Sequence, residues 1–388
     1  MRSPVSVRKT ESDDLAGIRA AVRQAAEDLG GLEDIIRPCD RVLIKPNMVA
    51  VPEARLSGAV TRWEVCLAAA EIVKEYGGRP AVAESASVGA DTRDVILFCG
   101  YNNIREAGIP VVDLKTDGGR EYRLSENVTT WEFVTQADVI ITVPVMKTHD
   151  QCGITLGMKN MKGVMPDSSK KMFHRRGLVE RVVELNSVIR PSLEIVDGTY
   201  AAEGMGPVFG DTKRKDLIIA SKDIVACEAV CGKIMGFGPE EVPITAAAGA
   251  AGLGTADLNE IEVIGERIGD VAERFVRSHE TVIEGLPESF GMIFDETACT
   301  GCRNSVMSAL TDMRDEDLLG YTADLSVIAG RPGSGAPEDP DPEHVVCVGA
   351  CAERYAHDHG LRIAEGCPPR NNTVVNTMLR GRAEYDYE

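Results

Sequence analysis

Five cysteines near the carboxyl end of the chain have the residue type and the spacing to hold a metal cluster. Cys299 and Cys302 form a CxxC turn, which can present both sulfurs to one metal. Cys367 precedes a proline, as the last cysteine of iron–sulfur motifs commonly does. We therefore predict an iron–sulfur cluster of the 4Fe-4S type, held by Cys299, Cys302, Cys351 and Cys367.

The same thiols also fit two other kinds of site. A structural zinc ion would use the same four ligands, although zinc sites more typically contain two CxxC pairs. A redox dithiol at Cys299 and Cys302 would leave the other three cysteines without a role. Cys347 ends an apolar run, so we predict that it packs inward and that Cys351 is the ligand. An exchange of these two roles remains open.

A second set of reactive residues follows apolar runs that we predict to be strands. These runs lead, in chain order, to Lys45, Glu84, Lys147 with His149, and Asp197. In an open α/β sheet, ligands bind outside the carboxyl ends of the strands. If the strands are parallel, these side chains meet in one polar cleft.

The segment 144–176 reverses the sign of an otherwise acidic chain. It contains nine basic or histidine residues against two acids, and such a patch attracts anions. We predict that an anion site includes Lys147, His149, Lys159, Lys162 and His174. We predict that the remaining four residues are exposed: Lys170, Lys171, Arg175 and Arg176.

These residues divide into two predicted roles. The predicted catalytic group, with proton donors and acceptors among its members, is Glu84, Lys147, His149, His174 and Asp197. The predicted substrate-binding group is Lys45, Asn47, Lys159, Asn160 and Lys162. For Glu84 and Asp197, a structural role as a helix N-cap or turn residue is an open alternative.

Alternating helices and strands must position these groups. Apolar periodicity predicts helices at 13–30, at 61–78 with Thr61 as N-cap, and at 224–235 after Asp223. Apolar runs predict strands at 41–47, 80–85, 137–149, 191–198 and 215–221. The pattern predicts an α/β domain over 1–285, with a mostly parallel sheet covered by helices, and a small Cys-rich iron–sulfur module over 286–388.

Composition excludes several classes of function. A formal charge of −19 over 388 residues argues against nucleic-acid binding. The chain has no apolar signal region and no run of about eighteen apolar residues, so we expect a cytoplasmic protein without a membrane partner. In that reducing compartment, its eleven cysteines are not expected to form disulfides. Neither a GxGxxG fingerprint nor a P-loop is present, so we predict no nucleotide or flavin.

The order of several short motifs resembles that of the DUF362 family. They begin with Lys45-Pro46-Asn47, Ala83-Glu84-Ser85, Pro144 to His149, and Gly157 to Gly163. They continue with Val196-Asp197-Gly198, Glu203-Gly204, Gly206-Pro207, Gly210, and Asp223 to Ala226. The family's function is mostly unknown, but the resemblance implies an iron–sulfur protein, because many members carry a ferredoxin-like segment. This chain differs in having Glu228 where the family usually has Asp, and in lacking a compact CxxCxxCxxxCP run.

Three functions fit these features. The first is a redox enzyme in which an anionic small molecule binds the basic cleft and a ferredoxin-like carrier supplies electrons. The second is a hydratase or lyase that uses an open iron site as a Lewis acid. The third is an electron carrier without catalysis, for which a basic cleft would be surplus.

Overall fold

The computed structural model describes residues 2–150, 152–175, 177–281, 283–333 and 335–382. The chain divides into two compact units, Met1–His279 and Glu280–Glu388. The boundary predicted from the sequence, between 285 and 286, lies a few residues further along the chain.

Unit 1 alternates strands and helices. Its strands are β1 (Ser3–Lys9), β2 (Arg41–Pro46), β3 (Arg79–Glu84), β4 (Val111–Asp113), β5 (Glu121–Arg123), β6 (Thr129–Trp131), β7 (Val139–Val143), β8 (Val145–His149), β9 (Gly153–Thr155), β10 (Leu193–Met205), β11 (Phe209–Ser221) and β12 (Ile261–Gly265). Its α-helices are α1 (Leu15–Asp28), α2 (Trp63–Glu75), α3 (Thr92–Phe98), α4 (Asn102–Glu106), α5 (Leu114–Asp117), α6 (Glu132–Thr135), α7 (Gly157–Asn160), α8 (Asp167–Arg175), α9 (Leu178–Val188), α10 (Ile224–Ile234), α11 (Pro243–Ala250) and α12 (Ile268–Val271). A 3₁₀ helix, Met161–Val164, follows α7 directly.

The main sheet of unit 1 has the strand order β12-β1-β11-β10-β7-β2-β3-β4, and β8 and β9 extend it beside β10. Along this path, the neighbouring pairs are parallel except where β11 pairs with β1 and with β10. The predicted α/β class with a mostly parallel sheet is therefore confirmed.

Helices cover both faces of this sheet, as the apolar strands predict. Val42 and Ile44 of β2 pack with α1 and α2 in one core. Leu43 between them packs on the opposite face, in a core shared with α9. This alternation follows from the two-residue period of a strand, and it explains why strands buried on both faces are apolar at successive positions.

The strand predicted at 215–221 is an antiparallel member of this mostly parallel sheet. It is the second half of β11, which runs antiparallel to β10 from Gly204 opposite Gly210 to Glu194 opposite Ser221. A tight turn at 206–208 joins the two strands, and a hairpin of this kind leaves no room for the crossover that a parallel pair requires.

Of the two predicted helix N-caps, the one for α10 is confirmed and the one for α2 is wrong. Asp223 caps α10, as predicted, because its carboxylate accepts the N–H of Ala226 at 3.0 Å. The prediction that Thr61 caps α2 is wrong, since the N-cap is Arg62 and makes no side-chain cap bond. The Thr61 hydroxyl instead donates to the Val143 carbonyl at 2.7 Å, which ties α2 to the end of β7.

Unit 2 contains a second, smaller sheet. Its strands are β13 (Gly291–Phe294), β14 (Ser326–Ala329), β15 (Val345–Val348) and β16 (Arg362–Ala364), and its helices are α13 (Thr300–Asp315), α14 (Glu353–His359) and α15 (Asn371–Leu379). The four strands are all parallel and lie in sequence order. Throughout the described residues of both units, no helix is long and apolar enough to cross a membrane.

The packing at the β10–β11 turn gives a testable consequence for stability. A Cβ on Gly206 would overlap the carbonyl oxygen of Thr148 in β8. We expect Gly206→Ala to lower the free energy of unfolding by about 2 kcal/mol, because neither backbone can move away without breaking strand pairing. The urea midpoint measures this change.

Gly269→Ala is the matched control. Gly269 lies in α12, and a Cβ there would meet nothing within 4 Å. Its midpoint should equal or slightly exceed that of the wild type, because alanine favours a helix. Equal midpoints for the two variants would contradict the close approach at Gly206.

Candidate functional site

Parallel strands bring the predicted residues of unit 1 to one edge of the sheet. Lys45 lies near the end of β2, and Glu84 ends β3, its parallel neighbour. Lys147 and His149 lie in β8, which continues beyond β7 and runs parallel to β10. Asp197 lies in β10 directly opposite Val145. Lys45, Glu84 and His149 therefore lie at or next to the carboxyl ends of their strands, as the rule for open sheets requires, whereas Lys147 lies within β8 and Asp197 within β10.

Lys45 and Glu84 form a buried ion pair. The Lys45 ammonium donates to the Glu84 carboxylate, to Asn160 Oδ1 at 2.8 Å and to the Pro46 carbonyl at 2.7 Å. Burial lowers the pKa of Lys45, and the charge of Glu84 opposes that shift. A Cβ on Gly163 would overlap the Glu84 carboxylate and lie 2.6 Å from Lys45 Nζ. Only glycine therefore allows the backbone at this position to pack directly against the ion pair.

Asn160 joins this pair to its surroundings. Its amide donates to the Lys45 carbonyl at 2.9 Å and to the Thr142 hydroxyl at 3.0 Å, while its oxygen accepts from the Lys45 ammonium. The Asn47 amide lies 3.4 Å from the same oxygen. Asn47 and Asn160, predicted to bind substrate, are thus both engaged with the lysines of the site.

Lys147 is fully buried, and three oxygens surround its ammonium group. Nζ donates to Asn47 Oδ1 at 3.0 Å, to the Ala59 carbonyl at 2.5 Å and to the Pro207 carbonyl at 2.9 Å. Burial lowers its pKa well below the usual range, and the charge of Lys159 acts in the same direction. Three acceptors require three N–H donors, so this geometry selects the charged form. Direct contact between Lys147 and a ligand would require displacing one of these oxygens.

His149 is buried beside Asp150, with Nδ1 2.9 Å from Asp150 Oδ1. Burial, and next the charge of Lys159, lower its pKa to about 4. The ring is therefore neutral at pH 7. His174 lies in α8, but its side chain is outside the described residues, so its predicted role stays a prediction.

Asp197 is held by donors from two directions. One oxygen accepts the N–H of Arg62, the N-cap of α2, at 2.8 Å, and the other accepts the Thr199 hydroxyl at 2.6 Å. Burial raises its pKa. The bonds from the N–H and hydroxyl of Thr199, two residues on, fit the alternative role as a turn residue, and a catalytic role for Asp197 stays a prediction.

Lys159 is the most available cation of the group. It is partly exposed, and among the described residues no hydrogen bond or ion pair engages its ammonium. Its charge lowers the pKa of Lys45, Lys147 and His149, and the charge of Lys162 also acts on His149. The basic residues therefore share one region of positive potential, which an anion would neutralise.

The prediction that Lys170 is exposed is wrong. Its ammonium is buried and donates to the carbonyl and the hydroxyl of Ser85 and to the Ala86 carbonyl, each at 2.7 Å. Burial lowers its pKa to about 8. Its spacing of three residues from the buried Phe173 on α8 was the available signal, since such residues share a helix face. Lys171 is exposed, as predicted.

Two buried glutamates hold the segment that carries Lys159. Glu194 of β10 accepts the N–H of Gly157 at 2.7 Å, and Glu228 of α10 accepts the N–H of Met158 at 2.8 Å. In the sequence, Glu228 stands out only as a departure from the family pattern, and Glu194 is not among the predicted site residues. A glutamate inside the apolar strand 193–196 was the signal for the second.

In unit 2, three segments carry the predicted cluster ligands to the carboxyl edge of the sheet. Cys299 and Cys302 lie at the start of α13, which follows β13. Cys351 follows β15, and Cys367 follows β16. Parallel strands again place these positions at one edge.

The electrostatics of Cys302 indicate that the four thiols are neighbours. Its pKa is raised, first by a hydrogen bond with Cys299, then by burial, and then by the charges of Cys299, Cys351 and Cys367. A Cβ on Gly349, which has a φ of +85°, would lie 2.5 Å from Cys302 Sγ, so glycine leaves space for the sulfur.

A set of four thiolates fits the ligand chemistry of an iron–sulfur cluster and also that of zinc. As placed, no three His, Cys, Asp or Glu side chains in the described part of the chain have an arrangement that holds a metal ion.

Cys347 occupies a different environment. It lies within β15, fully buried in an apolar core with Ile328 and Leu361. Burial alone raises the pKa of its thiol to about 12. This placement favours Cys351 over Cys347 as a ligand.

Solved structures that resemble the whole chain are distant. The lactate racemase apoprotein from Thermoanaerobacterium thermosaccharolyticum gives a TM-score of 0.42 at 9% identity, covering 98% of this chain and 91% of that one. A crystal structure of a Thermotoga maritima protein gives 0.39 at 9% identity, covering 92% and 93%. Both scores are too low to support a conclusion about this chain.

Sequence comparisons are closer. Thylakoid-associated protein sll1697 from Synechocystis sp. is 34% identical over 263 residues, which cover 65% of this chain and 81% of the relative. The family described as "Domain of unknown function (DUF362)" matches residues 42–233, the part of unit 1 that contains Lys45, Glu84, Lys147 and Asp197. The chain therefore belongs to the DUF362 family.

Proposed function

We propose that this protein binds an iron–sulfur cluster in unit 2, and that it is a redox enzyme for an anionic small molecule bound by unit 1. The observation that carries the proposal is the convergence of Cys299, Cys302, Cys351 and Cys367 at one sheet edge. A structural role for free thiols would not require four of them to be neighbours. Four thiolates match the coordination of a 4Fe-4S cluster.

When bound, such a cluster accepts and donates single electrons, at a potential that burial and hydrogen bonds tune. The protein residues have a more limited task, which is to hold four thiolates close together in spite of their mutual repulsion. The partial exposure of Cys299, Cys351 and Cys367 would allow an electron carrier to approach. We propose a ferredoxin-like carrier as that partner, since the sequence has no nucleotide or flavin motif.

The anion is proposed to bind against Lys159 and Lys162. Lys45 and Lys147 are already surrounded by oxygens, so they contribute positive potential over a distance and fix the strand ends. Lys159 is partly exposed and is not engaged in any described ion pair. An anion there would relieve the repulsion among these cations, which is the driving force for binding.

A cytoplasmic location remains part of the proposal. The name of the relative associates that protein with thylakoids, which would place a protein of this family beside a membrane. Fractionation of cells that express the full chain would distinguish the two locations.

The metal content gives the first test of this function. Anaerobically purified protein should contain about four iron and four sulfide per chain and absorb broadly near ~400 nm. Cys367→Ser should lose most of the iron and the absorbance, because a thiolate ligand is replaced by a poorer one. Metal analysis and the visible spectrum are the measurements.

Cys347→Ser is the control, since Cys347 packs in the apolar core beside β15. It should keep the wild-type iron content even if its thermal stability falls. One zinc per chain in place of iron and sulfide, or equal iron loss in both variants, would remove the proposed cluster.

The anion site is tested by removing one charge. Lys159→Met keeps most of the side chain and should weaken binding of sulfate and malonate by about tenfold or more, because a charge-assisted contact is lost. Titration calorimetry gives both affinities. The iron content should not change.

Lys171→Met is the matched control, because Lys171 is an exposed lysine of the same basic segment. Its affinities should stay within about twofold of the wild type, as expected for a screened surface charge. Identical losses in the two variants would show a diffuse charge effect and contradict a site at Lys159.

A further inference from the structure

Glu194 and Glu228 are two buried carboxylates behind the basic site. They come from β10 and α10 and are almost completely shielded from solvent. Their oxygens accept the N–H groups of the consecutive residues Gly157 and Met158. A Cβ on Gly157 would lie 2.6 Å from Glu194 Oε1, so the backbone rests directly on this carboxylate. The segment 157–164, which carries Lys159 and Lys162, is thus supported by the two acids.

Neutral groups are the partners of both carboxylates. The second oxygen of Glu228 accepts the Thr245 hydroxyl at 3.0 Å. Glu194 Oε2 is fully buried and has no nitrogen or oxygen partner in the described structure, and the Cys227 thiol is the side chain that hydrogen-bonds this carboxylate. No ion pair with a lysine, arginine or histidine engages either acid among the described residues. An unpaired buried carboxylate is costly in its charged form, and a second charge nearby adds to that cost.

The protonation behaviour agrees with this geometry. Burial, and then the charge of Glu228, raise the pKa of Glu194 well above its usual range. Burial raises the pKa of Glu228 to about 7. Other titratable groups act on the pair: Asp223, Cys227 and Cys231 from α10, and Cys152, which also feels Lys159 and Lys162. Two carboxylates in this situation titrate as a unit.

We propose that Glu194 and Glu228 share a proton and act together as positioning residues for segment 157–164, so that anion binding at Lys159 and Lys162 is linked to proton uptake by the pair. The second part rests on the proposed anion site, whereas the first part does not. A bound anion neutralises the nearby positive charges that favour the ionised acids. The pair then takes a proton from solvent, and by linkage the anion binds more tightly as the pH falls.

Stability against pH tests the shared proton without any ligand. An unfolded glutamate ionises near 4.5, whereas Glu228 in the folded protein does so near 7. The folded state therefore holds more protons over that window, and its stability is lost as the pH rises through it. As the pH is raised from about 5 to about 7.5, the urea midpoint of the wild type should decrease more than the urea midpoint of Glu228→Gln.

Glu228→Gln keeps an oxygen for the Met158 N–H but cannot titrate. His149, with a pKa near 4, contributes an opposite slope to both proteins and cancels in the comparison. Glu194→Gln is the second variant, in case the first does not fold, because it keeps an oxygen for the Gly157 N–H. Glu228→Asp retains a titrating acid and should restore much of the slope. Equal slopes in wild type and both glutamine variants would overturn the shared proton.

Calorimetry with sulfate tests the coupling, since sulfate does not titrate near neutral pH. Wild-type binding, measured in two buffers of different ionisation enthalpy, should take up part of a proton, and Glu228→Gln should take up a clearly smaller part. Gly157→Ala displaces the segment but keeps both acids, so it should weaken binding and retain the uptake. Sulfate binding without proton uptake in the wild type would overturn the coupling and leave the proposed anion site standing. A wild type that does not bind sulfate would overturn the anion site and the coupling together, and the stability comparison would still decide the shared proton.

Discussion

Unit 1 buries several lysine ammonium groups at the carboxyl edge of its main sheet. The arrangement of the surrounding segments depends on this burial. A buried ammonium is costly unless oxygens replace its hydration shell. Lys45, Lys147 and Lys170 each gather oxygens from segments that are distant in the sequence. The strand ends and the turn after β10 are therefore tied together by their bonds to these cations.

The same constraint explains the residue types around the lysines. Asn160 has both a donor and an acceptor, so it can bond the ammonium of Lys45 and the backbone of β2 at once. Gly163 and Gly206 bring backbone to positions where any Cβ would overlap a carboxylate or a carbonyl. These motif residues therefore stabilise the structure around the buried lysines. The proposed contact with an anion involves Lys159 and Lys162 instead.

Charges of opposite sign lie on the two sides of segment 157–164. Lysines on the segment create positive potential, and the buried Glu194 and Glu228 bond its first N–H groups from behind. Because neither acid is neutralised by an ion pair in the described residues, a proton is the simplest charge that can balance them. Like charges also lie close together in unit 2, where four neighbouring thiolates repel one another unless metal or protons are bound.

Much of this protein was determined by the sequence alone: the α/β class, the family, the strand ends that carry Lys45, Glu84 and Lys147, and four cysteines with ligand chemistry. These follow from periodicity and motif order, which are local in the chain. The tertiary structure decided the antiparallel direction of β11, the burial of Lys170 and the support of Gly157 and Met158 by Glu194 and Glu228. A local pattern reports which face of an element is apolar, but it cannot report which distant oxygen or carboxylate will face a given side chain, because those contacts exist only after the sheet has assembled.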